Sequence, residues 1–207
     1  MATDDTETAP AGECQLEGWG ESLYGTRSQV LAPACGLTDT VELDTGFART
    51  QGSGLGVDSV ALGLKWVPSQ TRWDTPAGQV RLGVIGGMFW ARAPGEGWKS
   101  DVAVLVGMAS LDFAPGWSLY LNLTTARSLQ VGQNANGVRT ALAWQPVEPI
   151  LLFVEGLHTN RFGNVRNAGF RLWAIPDKLG LDVVTSRSTG GGLSFSVGFG
   201  WYGITLP

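Results

Sequence analysis

The segment Leu193-Ser-Phe-Ser-Val-Gly-Phe-Gly-Trp-Tyr202 places large apolar groups at every odd position and serine, glycine or tyrosine at every even one. A period of two belongs to a β-strand, whose successive side chains point to opposite faces. A soluble barrel or sandwich buries its apolar row and wets the other, and has little use for so aromatic a row beside one with almost no bulk. Lipid outside and a narrow polar lumen inside demand that arrangement. Similar alternation recurs along most of the chain, which predicts an all-β fold, an antiparallel up-and-down transmembrane β-barrel. A soluble β-sandwich is the competing architecture, because strand signals are weak when taken singly.

Composition narrows the field further. At 207 residues the chain has the length of one domain, and it contains no run of about 18 apolar residues that could form a transmembrane helix. Its 30 glycines suit tight turns and crowded walls, and its 9 tryptophans suit a membrane interface. A net charge of −4 argues against nucleic acid as a partner, since that partner selects basic surfaces.

Residues 1–13 are acidic and small, with no apolar stretch, and are expected to be a disordered tail ahead of a single barrel domain over 14–207. They lack the basic and apolar regions of a signal peptide. A bacterial outer-membrane location requires export, so the expectation is that a leader is absent from this chain. Cys14 and Cys35 are too few for a zinc site and too far apart for a redox pair. A hairpin turning at Tyr24-Gly25 sets them directly opposite, within disulfide reach, and implies an oxidising compartment; two unpaired thiols are the alternative.

Turn chemistry separates segments of about ten residues, the length a tilted strand needs to cross a bilayer. Strands are expected near 15–23, 27–35, 40–50, 57–67, 79–91, 99–111, 117–128, 137–146, 150–161, 165–175, 179–188 and 192–203, making twelve. Ten is the alternative, with residues 15–35 forming one long strand and a periplasmic segment. Proline- and aspartate-rich turns at Gly36–Asp39, Ala114–Gly116, Pro146–Pro149 and Ile175–Lys178 are assigned to the periplasmic side with both termini. The opposite connections, 51–56, 93–98, 129–136, 162–164 and 189–191, are expected to be extracellular and too short for a large lid.

Parity then divides the faces. Leu43, Phe47, Val60, Leu62, Leu64, Trp66, Val80, Leu82 and Val84 fall on the lipid side. So do Val102, Val104, Val106 and Met108 of strand six, Leu119, Leu121 and Leu123 of strand seven, and Val138, Leu142 and Trp144 of strand eight. The lumen-lining charges are Glu42, Asp44, Lys65, Arg81, Arg139, Glu155, Arg171 and Asp182, four acids and four bases that would neutralise one another. Such pairs can hold a wall together or line a conducting path. Trp66, Trp117, Trp144 and Trp201 lie near periplasmic strand ends, and Trp90 and Trp98 near extracellular ends, as two interfacial belts require. Trp173 departs from this, since parity points it inward.

Three segments resemble a known family. Cys35-Gly-Leu-Thr-Asp-Thr-Val-Glu-Leu43 is similar to a turn-and-strand segment of outer-membrane transporters associated with the meta pathway of phenol degradation. Arg171-Leu-Trp-Ala-Ile-Pro-Asp-Lys-Leu-Gly-Leu-Asp182 resembles a second such signature, and Ala141 to Glu155 the hairpin before it. The resemblance implies a barrel with a transport role. It brings no catalytic residues, because the motifs specify turns.

An enzyme is not expected. His158 is the single histidine, placed by parity on the outer wall near an extracellular end. The neighbouring outward positions, Val138, Thr140, Arg166 and Ala168, offer no serine for a lipid-cleaving triad. No nucleophile elbow, metal-ligand spacing, phosphate loop or cofactor motif is present in the sequence. The function expected is a small passive pore or solute transporter, with outer-membrane lipids and a small-molecule solute as partners. Two other roles compete: a structural subunit of a larger envelope assembly, gripping a protein partner through small lumen residues such as Gly63, Ala103, Gly107, Ala141 and Gly198, and a lipid-modifying enzyme using His158.

Overall fold

The computed structural model describes residues 3–23, 26–52, 55–161, 163–189 and 191–205. The turn expected at Tyr24-Gly25 lies outside them, as do Ser53, Gly54, Phe162 and Gly190 within three expected loops. Thirteen strands follow in order: β1 (Glu13–Leu23), β2 (Thr26–Thr38), β3 (Val41–Gly52), β4 (Leu55–Trp66), β5 (Arg72–Thr75), β6 (Gly78–Arg92), β7 (Lys99–Ala114), β8 (Trp117–Ser128), β9 (Asn134–Val147), β10 (Ile150–Thr159), β11 (Gly163–Ile175), β12 (Leu179–Ser188) and β13 (Leu193–Thr205). Long strands pair antiparallel with their sequence neighbours, β4 pairs directly with β6, and β13 returns to pair with β1. The result is a closed antiparallel barrel of 12 strands, in which each long strand is paired on both sides. The small β5, which strand-length periodicity did not foresee, follows a single 3-10 turn at Ser69–Thr71 and folds back on the start of β6.

The cylinder is inside-out relative to a soluble domain. On β13, Leu193 is 59% exposed while its neighbour Ser194 is 3% exposed, and the exposed row continues through Phe195, Val197 and Trp201. The most enclosed large side chains are polar, with Glu42 at 1% and Asn122 at 0%. A wall of this kind satisfies every backbone group through its ladders and offers hydrocarbon to hydrocarbon, the condition for crossing a bilayer.

One face assignment is corrected. On β7, Leu105 is 52% exposed and Val106 is 8% exposed, so Val106 and Met108 face inward and Gly107 outward, the reverse of the parity expected for strand six. Register carries Val102 and Val104 inward and Ala103 outward with them. The reason is size complementarity across the ladder. Gly83 and Gly87 of β6 stand opposite Met108 and Val104, leaving slots on the inner wall for apolar bulk. A Cβ on Gly83 would come within 2.9 Å of the Met108 methyl. On the outer wall Gly107 stands between Val84 and Leu123 in the register and remains exposed.

Cys14 and Cys35 form a disulfide directly across the β1–β2 ladder, with Cα atoms 4.0 Å apart. The bond ties the first hairpin at the end of the barrel that carries both chain termini.

Candidate pore lining

Three ionic clusters occupy the inner wall, each built by strands that register places side by side. The first joins four strands across the seam where the chain closes on itself. Arg171 of β11 donates from Nε and Nη2 to the two carboxylate oxygens of Asp182 on β12, at 2.7 and 2.8 Å. Its guanidinium also reaches the Tyr202 hydroxyl of β13 and Glu17 of β1, the latter at 3.4 Å. Tyr202 in turn donates to Glu17. A bidentate fork of this kind suits arginine, whose planar donors match a carboxylate. Trp173 faces inward beside it, its ring 5.6 Å from that of Tyr202 and 5.3 Å from the Arg171 guanidinium carbon.

The second cluster lies on β3 and β4. Lys65 Nζ is 3.9 Å from Glu42, which also accepts from Gln15 Nε2 at 3.3 Å. Asp44 sits one inward position further along β3, opposite Gly63. The third lies on β6, β7 and β8: Arg81 Nη2 donates to Asp112 at 2.7 Å, and Ser118 Oγ donates to the other Asp112 oxygen at 2.6 Å. Further around the wall, Asn167 Nδ2 donates to Glu155 at 3.0 Å, and Arg139 stands opposite Asn122 across the β8–β9 ladder.

All eight charges singled out in the sequence therefore sit on inward positions of the register. Glu17, Glu21 and Asp112 share that face and were not singled out. Their signal was available, since Glu17 and Glu21 alternate in step with Gln15, but the glycine-rich stretch around them carries too little outward bulk to set the parity. With them included, acids outnumber bases on the inner wall.

The acidic N-terminal segment, expected to be a disordered tail, lies inside the cylinder. Thr3, Thr6 and Ala9 are all buried, and the backbone N–H groups of these residues donate to Glu155, Ser110 and Glu42. Asp5 lies 3.3 Å from Lys65 and Glu7 lies 3.1 Å from Arg81.

On the outer wall, Trp66, Trp117, Trp144 and Trp201 gather toward the end bearing the termini, with Trp117 and Trp144 stacked at 5.2 Å. Trp90 and Trp98 lie at the opposite end, where the Arg92 guanidinium packs 4.8 Å from the Trp98 ring. His158 points outward, its Nδ1 2.8 Å from Asn164 Oδ1, and its cross-strand neighbours are Asn164 and Val138. Neither supplies a nucleophile.

No protein-family model matches the chain, and no curated protein sequence matches it. Solved structures do resemble it. The KdgM porin superposes with a TM-score of 0.68 at 8% identity, covering 90% of this chain and 98% of that one. The NanC porin gives 0.64 at 8% identity, covering 91% and 98%. An outer membrane channel from Pseudomonas putida F1 gives 0.61 at 12% identity, covering 98% and 99%. At such identities the likeness establishes a shared fold, that of outer-membrane porin-like barrels.

Proposed function

We propose that the chain is a small passive pore of the bacterial outer membrane, and that the charges of its inner wall select among permeating solutes. The observation carrying this reading is the enclosed polar lining of a cylinder whose outer surface is apolar. The same ionic groups also tie neighbouring strands together, so the conductance measurement below is what separates a conducting lining from a purely structural one. The porin and channel neighbours share the architecture, and one of them is described in complex with oligogalacturonate, a solute too large and charged to cross lipid unaided. The likeness of Cys35–Leu43 and Arg171–Asp182 to the meta-pathway transporter family supports a transport role as well.

Selectivity follows from the balance of charge. Glu17, Glu21, Glu42, Asp44, Asp112, Glu155 and Asp182 face four bases, Lys65, Arg81, Arg139 and Arg171. Rings of acidic side chains favour cations. The pore therefore passes K+ in preference to Cl−. Reversal potentials of the purified barrel in planar bilayers under a KCl gradient test this. A cation-preferring potential that shrinks in an E17Q/E21Q variant is expected, whereas an electrically silent barrel, or one favouring chloride, contradicts the reading.

Placement in the outer membrane, with the tryptophans as interfacial belts, fits the outer surface. At the end opposite the termini, Arg27, Arg127, Arg166 and Arg187 point outward, and Arg166 stands directly across the ladder from Arg187. Like charges placed so close repel unless an anion lies between them. A phosphate-bearing outer leaflet would supply one, which supports reading this end as the cell exterior and the termini as periplasmic.

A further inference from the structure

The N-terminal segment enters the barrel through a built slot. Pro10-Ala11-Gly12-Glu13 forms a tight turn closed by Glu13 N–H to Pro10 O at 2.9 Å, with Gly12 at φ 81° in the position that requires a left-handed residue. Ala11 then bridges to Gly36 on β2, and Gly12 N–H donates to Gly36 O at 3.0 Å. Any side chain at position 36 would collide with the entering chain, since a Cβ there would lie 2.1 Å from Ala9 O and 2.2 Å from Pro10 O. The wall has been left open at that point to admit the segment.

Inside, the segment is read on both of its chemistries. Its carboxylates meet donors, Asp5 on Lys65 at 3.3 Å, Glu7 on Arg81 at 3.1 Å, and Asp4 on Asn122 Nδ2 at 3.4 Å. Its backbone N–H groups meet acceptors, Thr3 on Glu155 at 2.7 Å, Thr6 on Ser110 at 3.2 Å, and Ala9 on Glu42 at 2.6 Å. A simple anion could answer Lys65 and Arg81 but offers no N–H group to Glu42, Ser110 or Glu155. A ligand carrying N–H donors between its carboxylates meets both sets.

We propose that Glu42, Lys65, Arg81, Ser110, Asn122 and Glu155 form a binding track for an extended acidic peptide, occupied at rest by residues 3–9 of the same chain. The proposal rests on the pore reading for its consequence, that the seated segment narrows the path and neutralises Lys65 and Arg81. Tethering gives the chain's own segment a high effective concentration, so an acidic peptide from outside competes only when that segment is dislodged.

The test uses the full chain carrying Gly36→Leu, which fills the entry slot beside Glu42, its partner across the β2–β3 ladder, and leaves Lys65 and Arg81 in place. A fluorescent peptide of sequence Thr-Asp-Asp-Thr-Glu-Thr-Ala-Pro is titrated against it and read by anisotropy, alongside bilayer conductance with the peptide added at the end bearing the termini. The variant should bind the peptide where the parent does not. It should also conduct about two-fold or more above the parent with weaker cation preference, as a widened path with uncovered bases requires. The free peptide should then block that current. A peptide with its three acids replaced by Asn, Asn and Gln should neither bind nor block, and K65A/R81A in the Gly36→Leu background should abolish both effects. Equal binding of the neutral peptide, or binding that survives K65A/R81A, overturns the track. A folded barrel that binds the acidic peptide but carries no current sinks the pore reading alone. Should Gly36→Leu fail to give a heat-modifiable barrel, the D5N/E7Q variant replaces it: peptide capture supports the track, and no capture overturns it.

Discussion

At the residue scale, Arg171 is the side chain on which most depends. It joins β11, β12, β13 and β1 through Asp182, Tyr202 and Glu17, and so stands at the seam where first and last strands meet. Removing one partner of an enclosed ion pair leaves the other charge uncompensated, a loss of about 3–5 kcal/mol. Arg171→Ala is therefore expected to lower the urea unfolding midpoint by an amount in that range, with Arg171→Lys only partly restoring it because an ammonium cannot make the bidentate fork. An unchanged midpoint would show that the seam holds without its latch. The shared inward face of Arg171 and Asp182 was readable from alternation, but which charge meets which was not, and Glu17 was not singled out. Tyr202 lay on the even, lumen-facing row of its strand but was not recognised as a partner, because alternation gives a face and not a contact.

At the scale of the element, β7 shows where alternation stops being informative. Val102, Val104, Val106 and Met108 are bulkier than the residues between them apart from Leu105, and their parity suggested lipid. The inner wall takes them instead because glycines of β6 stand opposite, so the face of β7 is fixed by its neighbour and not by its own sequence. Leu105→Lys should then cost about 2–4 kcal/mol, the penalty for a lysine facing the bilayer midplane, while Val106→Lys should cost less because its ammonium enters a polar lumen. Urea titration in detergent or lipid compares the two, and the reverse ranking would restore the original parity. The β1–β2 hairpin carries its own device. Cys14–Cys35 closes a loop of 21 residues, worth about 3 kcal/mol on a chain-entropy estimate. A C14S/C35S variant should unfold at correspondingly lower urea, and dithiothreitol should bring the parent to the same midpoint; an insensitive parent would mean the bond adds nothing to stability.

For the whole molecule, the cylinder was legible because lipid and lumen impose opposite demands on adjacent residues, and β13 records both along its full length. The path of residues 3–9 was not. That segment has no period to read, and its partners are remote, Thr3 meeting Glu155 across 152 positions. The short β5 was missed for a related reason, since four exposed residues carry no face pattern. The pore, its selectivity and the peptide track all depend on the apolar rows touching acyl chains. Single spin labels placed in turn at positions 193–201 of the reconstituted protein measure this directly. Accessibility to membrane-dissolved oxygen should peak at 193, 195, 197, 199 and 201, and accessibility to a water-soluble nickel complex at the even positions between them. Labels at the odd positions that are shielded from oxygen, or that respond to nickel as strongly as their neighbours, would contradict a lipid-facing wall and the pore with it.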